Sequence, residues 1–250
     1  MKAISLSRVL SVYSILLILT ACTTEPTLDL EPYFYPTDAI ANSPVVYEYQ
    51  DVTTQGDTIH APYYWYYQVL QKDDQRYLVG SRYDDLYEPT SLSRELLTDS
   101  MVQLDATIIY SYDTTGLAQS IYAEINTGEQ YYYRPQPPRR VWVTDLSLTL
   151  ADENYIRLTR NRQYSRDTTV TFGGQTLDAI VVNVRETTTN NAIAVPIETV
   201  GYEIYARDLG LHTLHTRQLD GSLARTYTLV DTFGMPELIR RSEALQQLPD

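Results

Sequence analysis

The sequence predicts an all-β domain, a curved antiparallel sheet in the form of a half-barrel or sandwich, followed by a short C-terminal helix. Three observations carry that expectation. Several segments alternate apolar and polar residues with period two, and hairpin-type turns separate them. The composition is rich in Tyr (23 residues), Thr and Val, residue types that suit a pleated, half-buried surface.

Ahead of the predicted domain stands a segment of a different kind. Lys2 and Arg8 give a positive start with no acid, and residues 9–20 are almost wholly apolar. That is the layout of a secretory signal, here residues 1–21, and it is shorter than the roughly 20 apolar residues of a membrane span. The segment closes on Leu19-Thr20-Ala21-Cys22. This run resembles the lipobox of bacterial lipoproteins. The resemblance implies cleavage before Cys22, a diacylglycerol on its sulfur and an acylated amine, so that the chain is held on the membrane by its lipid. Two or three acyl chains anchor stably, at roughly 0.8 kcal/mol per buried CH₂. The competing reading is a plain secreted protein with a Cys at its cleavage site. Thr23 stands where an Asp commonly retains Gram-negative lipoproteins in the inner membrane, so the resemblance favours the outer membrane.

Cys22 is the only cysteine. Once it is acylated, the mature chain has no disulfide, no thiolate metal site and no cysteine nucleophile. Loss of Lys2 and Arg8 with the signal takes the formal net charge from −13 to −15. That balance argues against nucleic-acid partners and against electrostatic docking on anionic lipid.

Residues 22–44 read as a lipid-anchored tether, with Pro26, Pro32, Pro36 and Pro44 and no sustained period. Its cluster Tyr33-Phe34-Tyr35-Pro36 is a candidate for docking onto the domain. Residues 45–235 form the expected β-rich domain. Leu146, Leu148 and Leu150 alternate with polar residues, as do Ile180, Val182 and Val184, then Tyr202, Ile204 and Ala206, and then Arg225, Tyr227 and Leu229. Gly173-Gly174 and Asp220-Gly221 are hairpin turns, because those residues tolerate positive φ. Asp113-Thr114-Thr115-Gly116 and Asn126-Thr127-Gly128 read as longer hairpin loops, and Pro135-Gln136-Pro137-Pro138 as a break between two halves. Helix is expected in two places only. One is a short stretch over Ser91–Ser100; the other is the tail, residues 236–250, where Pro236 suits a first turn and Leu238, Ile239, Leu245 and Leu248 form a stripe.

The stretch from Val170 to Asp231 resembles a group of β-rich bacterial envelope proteins of unassigned function. The resemblance rests on the hairpin over residues 171–182, on Ile204-Tyr205-Ala206-Arg207-Asp208-Leu209-Gly210-Leu211, and on the Asp-Gly hairpin that follows. That group usually has Val where Leu209 stands. The resemblance implies a curved antiparallel sheet akin to the open half-barrels of lipoprotein carriers, and it implies no activity. Gly210, between strand-like runs, signals a bulge or a close backbone approach.

Candidate chemistry is sparse. No nucleophile elbow, His-Glu-x-x-His, phosphate loop or dinucleotide fingerprint occurs, so no cofactor, no metal and no enzymatic activity are expected. His212 and His215 would point to opposite faces of a strand. Asp57 and His60 read as loop residues beside Gly56. The acid pairs Asp73-Asp74 and Asp84-Asp85 are adjacent and would diverge on a strand. Arg134, Arg139, Arg140, Arg157, Arg160, Arg162 and Arg166 are the one local excess of positive charge. They suggest solvated faces paired with acids, with a patch for an anionic glycan as the alternative.

The most suggestive segment is Tyr63-Tyr64-Trp65-Tyr66-Tyr67. On a strand, Tyr63, Trp65 and Tyr67 share one face and Tyr64 and Tyr66 the other. One face can enter the core; the other needs a cover or a ligand. Tyr63, Trp65 and Tyr67 are therefore the candidate ligand-binding set, against the alternative of cross-strand aromatic packing. The sequence thus leads to a lipid-anchored, non-enzymatic envelope protein that binds an apolar or glycan ligand or an envelope partner. Its rival is an accessory subunit of an envelope complex with no small-molecule site; a third reading, a hydrolase built from scattered acids or His60, has nothing local behind it.

Overall fold

Twelve antiparallel strands close on themselves in the computed structural model, which describes residues 28–52, 61–112, 118–137, 139–150, 154–191, 193–222 and 224–247. The strands are β1 (Val45–Asp51), β2 (Tyr63–Lys72), β3 (Gln75–Tyr83), β4 (Pro89–Leu97), β5 (Met101–Tyr112) and β6 (Ala118–Tyr132). They continue as β7 (Trp142–Thr149), β8 (Tyr155–Phe172), β9 (Gln175–Asn190), β10 (Ile193–Ala206), β11 (Gly210–Gln218) and β12 (Arg225–Phe233). Each pairs with its neighbour in sequence, and β1 pairs with β12 through Val46–Phe233 and Tyr49–Leu229. Closure corrects the expected half-barrel or sandwich. Alternation along single strands is the same in an open and a closed sheet, and only the β1–β12 register tells them apart. The signal over residues 1–21, Cys22, Asp57, His60, Asp113 to Gly116 and Leu248 lie outside the described residues.

The wall is charged on its outside. Arg157 pairs with Asp145 (2.6 Å) and Arg185 with Glu198 (2.7 Å), and Arg94 with Asp105, all on outward positions of β4 to β10. A barrel facing lipid carries an apolar band there; this one carries ion pairs.

A barrel of about eight strands is just filled by its own side chains, and one of about sixteen leaves an open channel. Twelve strands fall between, and the lumen is filled in part by another segment. Residues 28–42 turn through a 3-10 turn (Glu31–Tyr33) and helix α1 (Thr37–Asn42) across one end of the barrel. Leu30, Phe34, Tyr35 and Ile40 are buried there. The Leu30 N–H donates to the Tyr133 carbonyl (2.7 Å), and the Tyr131 hydroxyl donates to the Leu30 carbonyl (2.9 Å). Tyr35 lies tilted against Tyr67 with ring centres 4.4 Å apart, and their hydroxyls are 2.9 Å apart. About two-thirds of the segment that reads as a tether is thus a plug. Its prolines and polar residues hide a buried set whose partners lie far along the chain, from Tyr67 to Tyr131, Tyr133 and Gly210.

Gly210 explains how the plug seats. Its φ is +93°, and a Cβ there would lie 2.4 Å from the Tyr35 ring. The close approach inferred for Gly210 is an approach to the plug.

Three local expectations are corrected. Ser91–Ser100 is strand and turn rather than helix: β4 puts Ser91, Ser93 and Glu95 inside and Arg94 outside. A polar lumen inverts the usual pattern, so the segment carries no legible strand signal. Asn126-Thr127-Gly128 is an irregularity within β6, not a loop, where Gly128 meets the Leu104 carbonyl. The run that begins at Pro135 lies between β6 and β7 at the plugged end and divides no halves, with Pro138 outside the described residues.

The C-terminal helix α2 (Met235–Gln246) lies on the outer wall. Leu238 packs on Val46 and Tyr64, and Arg241 reaches Glu48 at 2.7 Å. It covers the outward aromatic face of β2 that the sequence leaves without a partner.

Candidate functional site

The plug fills one end of the barrel, and a cavity of about 340 Å³ occupies the rest of the lumen. That is at the small end of ligand pockets, which run roughly 300–1,000 Å³. The inward residues of β2 supply its aromatic wall. Tyr63, Trp65 and Tyr67, the sequence candidates, all line it. Tyr63 stacks on Tyr49 (5.1 Å) near the mouth, and Trp65 lies parallel to Tyr67 at 5.6 Å further in. Gly80 on β3 makes the parallel pair possible. A Cβ there would come within 2.8 Å of Tyr67 and 3.0 Å of Trp65.

Burial keeps these phenols neutral. The hydroxyls of Tyr35, Tyr67, Tyr131 and Tyr205 are pushed well above their ordinary value, chiefly by desolvation. The deep aromatic layer is therefore uncharged and hydrogen-bonded internally.

Opposite the aromatic wall lies a buried charge network on β6, β7, β8 and β10. Arg162 and Glu203 pair at 3.0 Å, each with only 4% of its side chain exposed. Arg162 also donates to Gln130 (3.0 Å) and Thr144 (3.1 Å), and the Tyr205 hydroxyl donates to Glu203 (2.9 Å). Arg160 is held by Glu186 (2.6 Å). Burial would raise the Glu203 carboxyl, but Arg162 and Arg160 together hold it below the ordinary range. These ion pairs satisfy one another.

Two luminal charges are not satisfied in this way. Glu95 on β4 is buried, and the hydrogen bond it accepts from Gln130 Nε2 is long, 3.4 Å. Desolvation raises its carboxyl to about 7, with Gln130 and Arg162 offsetting only part of the effect. Arg82 on β3 stands at the mouth with its guanidinium 4.5 Å from the centre of the Tyr63 ring. No carboxylate pairs with Arg82 among the described residues. Sequence reading misses both. A lone Glu or Arg in a strand reads as surface, and only closure shows that positions 82 and 95 face inward.

The remaining candidates are placed elsewhere. His212 lies edge-on to Phe172 and bonds Thr213 (2.8 Å); His215 stacks on Tyr202 and bonds Thr226 (2.8 Å). Asp73 and Asp74 form the β2–β3 turn with positive φ, and Asp84 caps the β3–β4 turn by accepting from Leu86 and Glu88. Of the arginine set, Arg160 and Arg162 enter the lumen. Arg157 lies on the outer wall, Arg134 reaches Glu31 of the plug (3.3 Å), and Arg140 pairs with Glu129 (2.8 Å) over the Tyr132 ring. The group is not one patch.

The fold is one already known among exported bacterial proteins. A crystal structure of a candidate lipoprotein from Parabacteroides distasonis ATCC 8503 superposes with a TM-score of 0.56 at 11% identity, over 84% of this chain and all of that one. A candidate exported protein from Bacteroides fragilis NCTC 9343, described as having a YmcC-like fold, superposes with a TM-score of 0.53 at 12% identity. That match covers 80% of this chain and 98% of that one. No protein-family model matches the chain, and no curated protein matches it significantly. At these identities the likeness is one of fold.

Proposed function

We propose that this chain is a lipid-anchored protein of the bacterial cell envelope that binds a ligand inside its barrel, without catalysis. The observation that carries the reading is the plugged lumen. One end is sealed by Leu30, Phe34 and Tyr35, and toward the other, among the described residues, the lumen is lined by Trp65, Tyr63 and polar groups that the protein leaves underused. A cavity kept open by a dedicated plug, with a flat aromatic wall facing hydrogen-bonding groups, suits a small amphipathic ligand, an apolar molecule with a polar end or a glycan.

The anchor fits the same picture. Cys22 precedes the first plug residue, Leu28, by six positions, a reach of at most about 20 Å. A lipid on Cys22 would set the plugged end toward the bilayer and the mouth toward the aqueous space. The signal, the lipobox resemblance and Thr23 support the outer membrane as the site. The exported-protein neighbours agree with export.

The test is native mass spectrometry on residues 23–250 secreted without lipid. A bound mass is expected on the wild type and is lost in Trp65→Ala, which remains folded. A bare wild-type chain would overturn luminal binding and move the weight to an accessory subunit. The outward Tyr122, 70% exposed, would then be the first position for a photo-cross-linker in search of a partner.

A further inference from the structure

We infer that the luminal ligand is a sugar carrying an anionic group, its ring lying on Trp65 and its anion held by Arg82 at the mouth. The inference rests on the luminal-binding reading above and names the ligand class.

The argument starts from the contrast among the luminal arginines. Arg162 and Arg160 are each held by carboxylates of the barrel wall, Glu203 and Glu186. Their charges are used. Arg82 is different. Its guanidinium lies over Tyr63 with the fork free of any carboxylate among the described residues. A guanidinium held over an aromatic ring can still receive a carboxylate or phosphate in bidentate fashion. In a chain with a formal net charge of −13, an arginine unpaired among the described residues at the edge of an aromatic cavity is a local inversion of the prevailing sign.

The neighbouring groups specify the rest. Arg82 is the cross-strand partner of Trp65, and it also faces Ser91 across β4. A ligand whose anion meets Arg82 therefore places its adjacent atoms on the Trp65 ring. Deeper in, Ser93 follows Gly80 in register and Glu95 follows Leu78. Glu95 is buried in the cavity wall with only the long bond from Gln130. A flat apolar face, hydroxyl-bearing neighbours and a buried carboxyl that lacks a good donor together suit the hydroxyls and C–H face of a pyranose. A simple fatty chain would leave the buried Glu95 and the half-buried Ser93 desolvated without a polar ligand partner, which is costly. A neutral sugar would leave Arg82 unused.

The probes are D-glucuronate, glucose 6-phosphate and glucose. Each is titrated by calorimetry into residues 23–250 at low ionic strength. A charge-assisted contact predicts that one of the anionic sugars binds roughly ten- to a hundred-fold more tightly than glucose. Arg82→Gln should abolish that ratio, and Arg185→Gln, on the outer wall, should leave it intact. Added salt should weaken the anionic sugar and leave glucose unchanged. Whether glucuronate or the phosphate wins identifies the anion. Equal binding of all three sugars, or a ratio that survives Arg82→Gln, overturns the inference. If no sugar binds but the mass spectrum shows an apolar molecule lost in Trp65→Ala, luminal binding stands and the anionic sugar falls. If nothing binds by either method, both fall.

Discussion

Glu95 sits in an environment that opposes its ordinary charge. A carboxyl that titrates near 4.5 in the unfolded chain is raised to about 7 in the barrel by burial. The charged groups facing it are Arg162 on β8 and, beyond it, Glu203 on β10; Gln130 on β6 is its neutral partner. Between pH 4.5 and 7 the folded protein holds a proton that the unfolded chain has released. Glu95 therefore contributes stability that is fully present below pH 4.5 and lost as pH rises through 7. The expected outcome is that urea unfolding of the wild type weakens between pH 5 and pH 8 by about 1–3 kcal/mol more than that of Glu95→Gln. Parallel slopes for the two proteins would show that Glu95 is already charged in the fold. Glu203 behaves in the opposite manner. Arg162 and Arg160 hold the Glu203 carboxyl below the ordinary range, so its charge persists across that window.

Among the elements, the plug decides the shape of the lumen. Its buried side chains make a continuous aromatic layer with Tyr47, Tyr67, Tyr131 and Tyr205, and its backbone bonds Tyr133 and Asp208 from two different connections. Tyr35 is the centre of that layer, touching Phe34, Tyr47 and Tyr67 and covering Gly210. Tyr35→Ala should cost roughly 3–5 kcal/mol in denaturant unfolding, the range for truncating a buried aromatic. It should also extend the cavity toward the plugged end, read as stronger binding of a hydrophobic dye to the folded protein. A loss below about 1 kcal/mol with unchanged dye binding would mean that the plug is not held as the aromatic contacts indicate. Helix α2 plays the smaller part, covering Tyr64 and Val46 from outside.

On the scale of the whole molecule, the wall is charged outside, and the lumen carries an aromatic face opposite buried ion pairs. Among the described residues, outward ion pairs along β4 to β10 stand where a lipid-facing wall would have to desolvate them. Residues 23–250, secreted behind a cleavable signal without a lipobox, should therefore be recovered from the soluble envelope fraction without detergent. The chain with Cys22 intact should partition with membranes. A lipid-free chain that needs detergent would show that the barrel wall itself meets the bilayer.

What the sequence determined by itself is the part written in local pattern. Alternation with period two at Ile180–Val184 and Arg225–Leu229, the Gly173-Gly174 and Asp220-Gly221 turns and Pro236 with its apolar stripe depend on a few neighbouring residues, and they mark strands, hairpins and a terminal helix. The sidedness of Tyr63, Trp65 and Tyr67 is legible for the same reason, since a strand sends alternate residues to one face. Tertiary structure decided everything that depends on closure. Whether the sheet ends or meets itself rests on β1 against β12, positions some 180 residues apart, and no local period encodes that pairing. Closure turned Ser91, Ser93 and Glu95 from a helix-like polar stretch into the inner wall of β4. It turned Arg82 from a surface arginine into the charge at the mouth, and it drew residues 28–42 inside. The physical reason is that a lumen accepts polar residues when they are paired or face a cavity. Inside and outside then look alike in sequence, and only the distant strand that completes the barrel tells them apart.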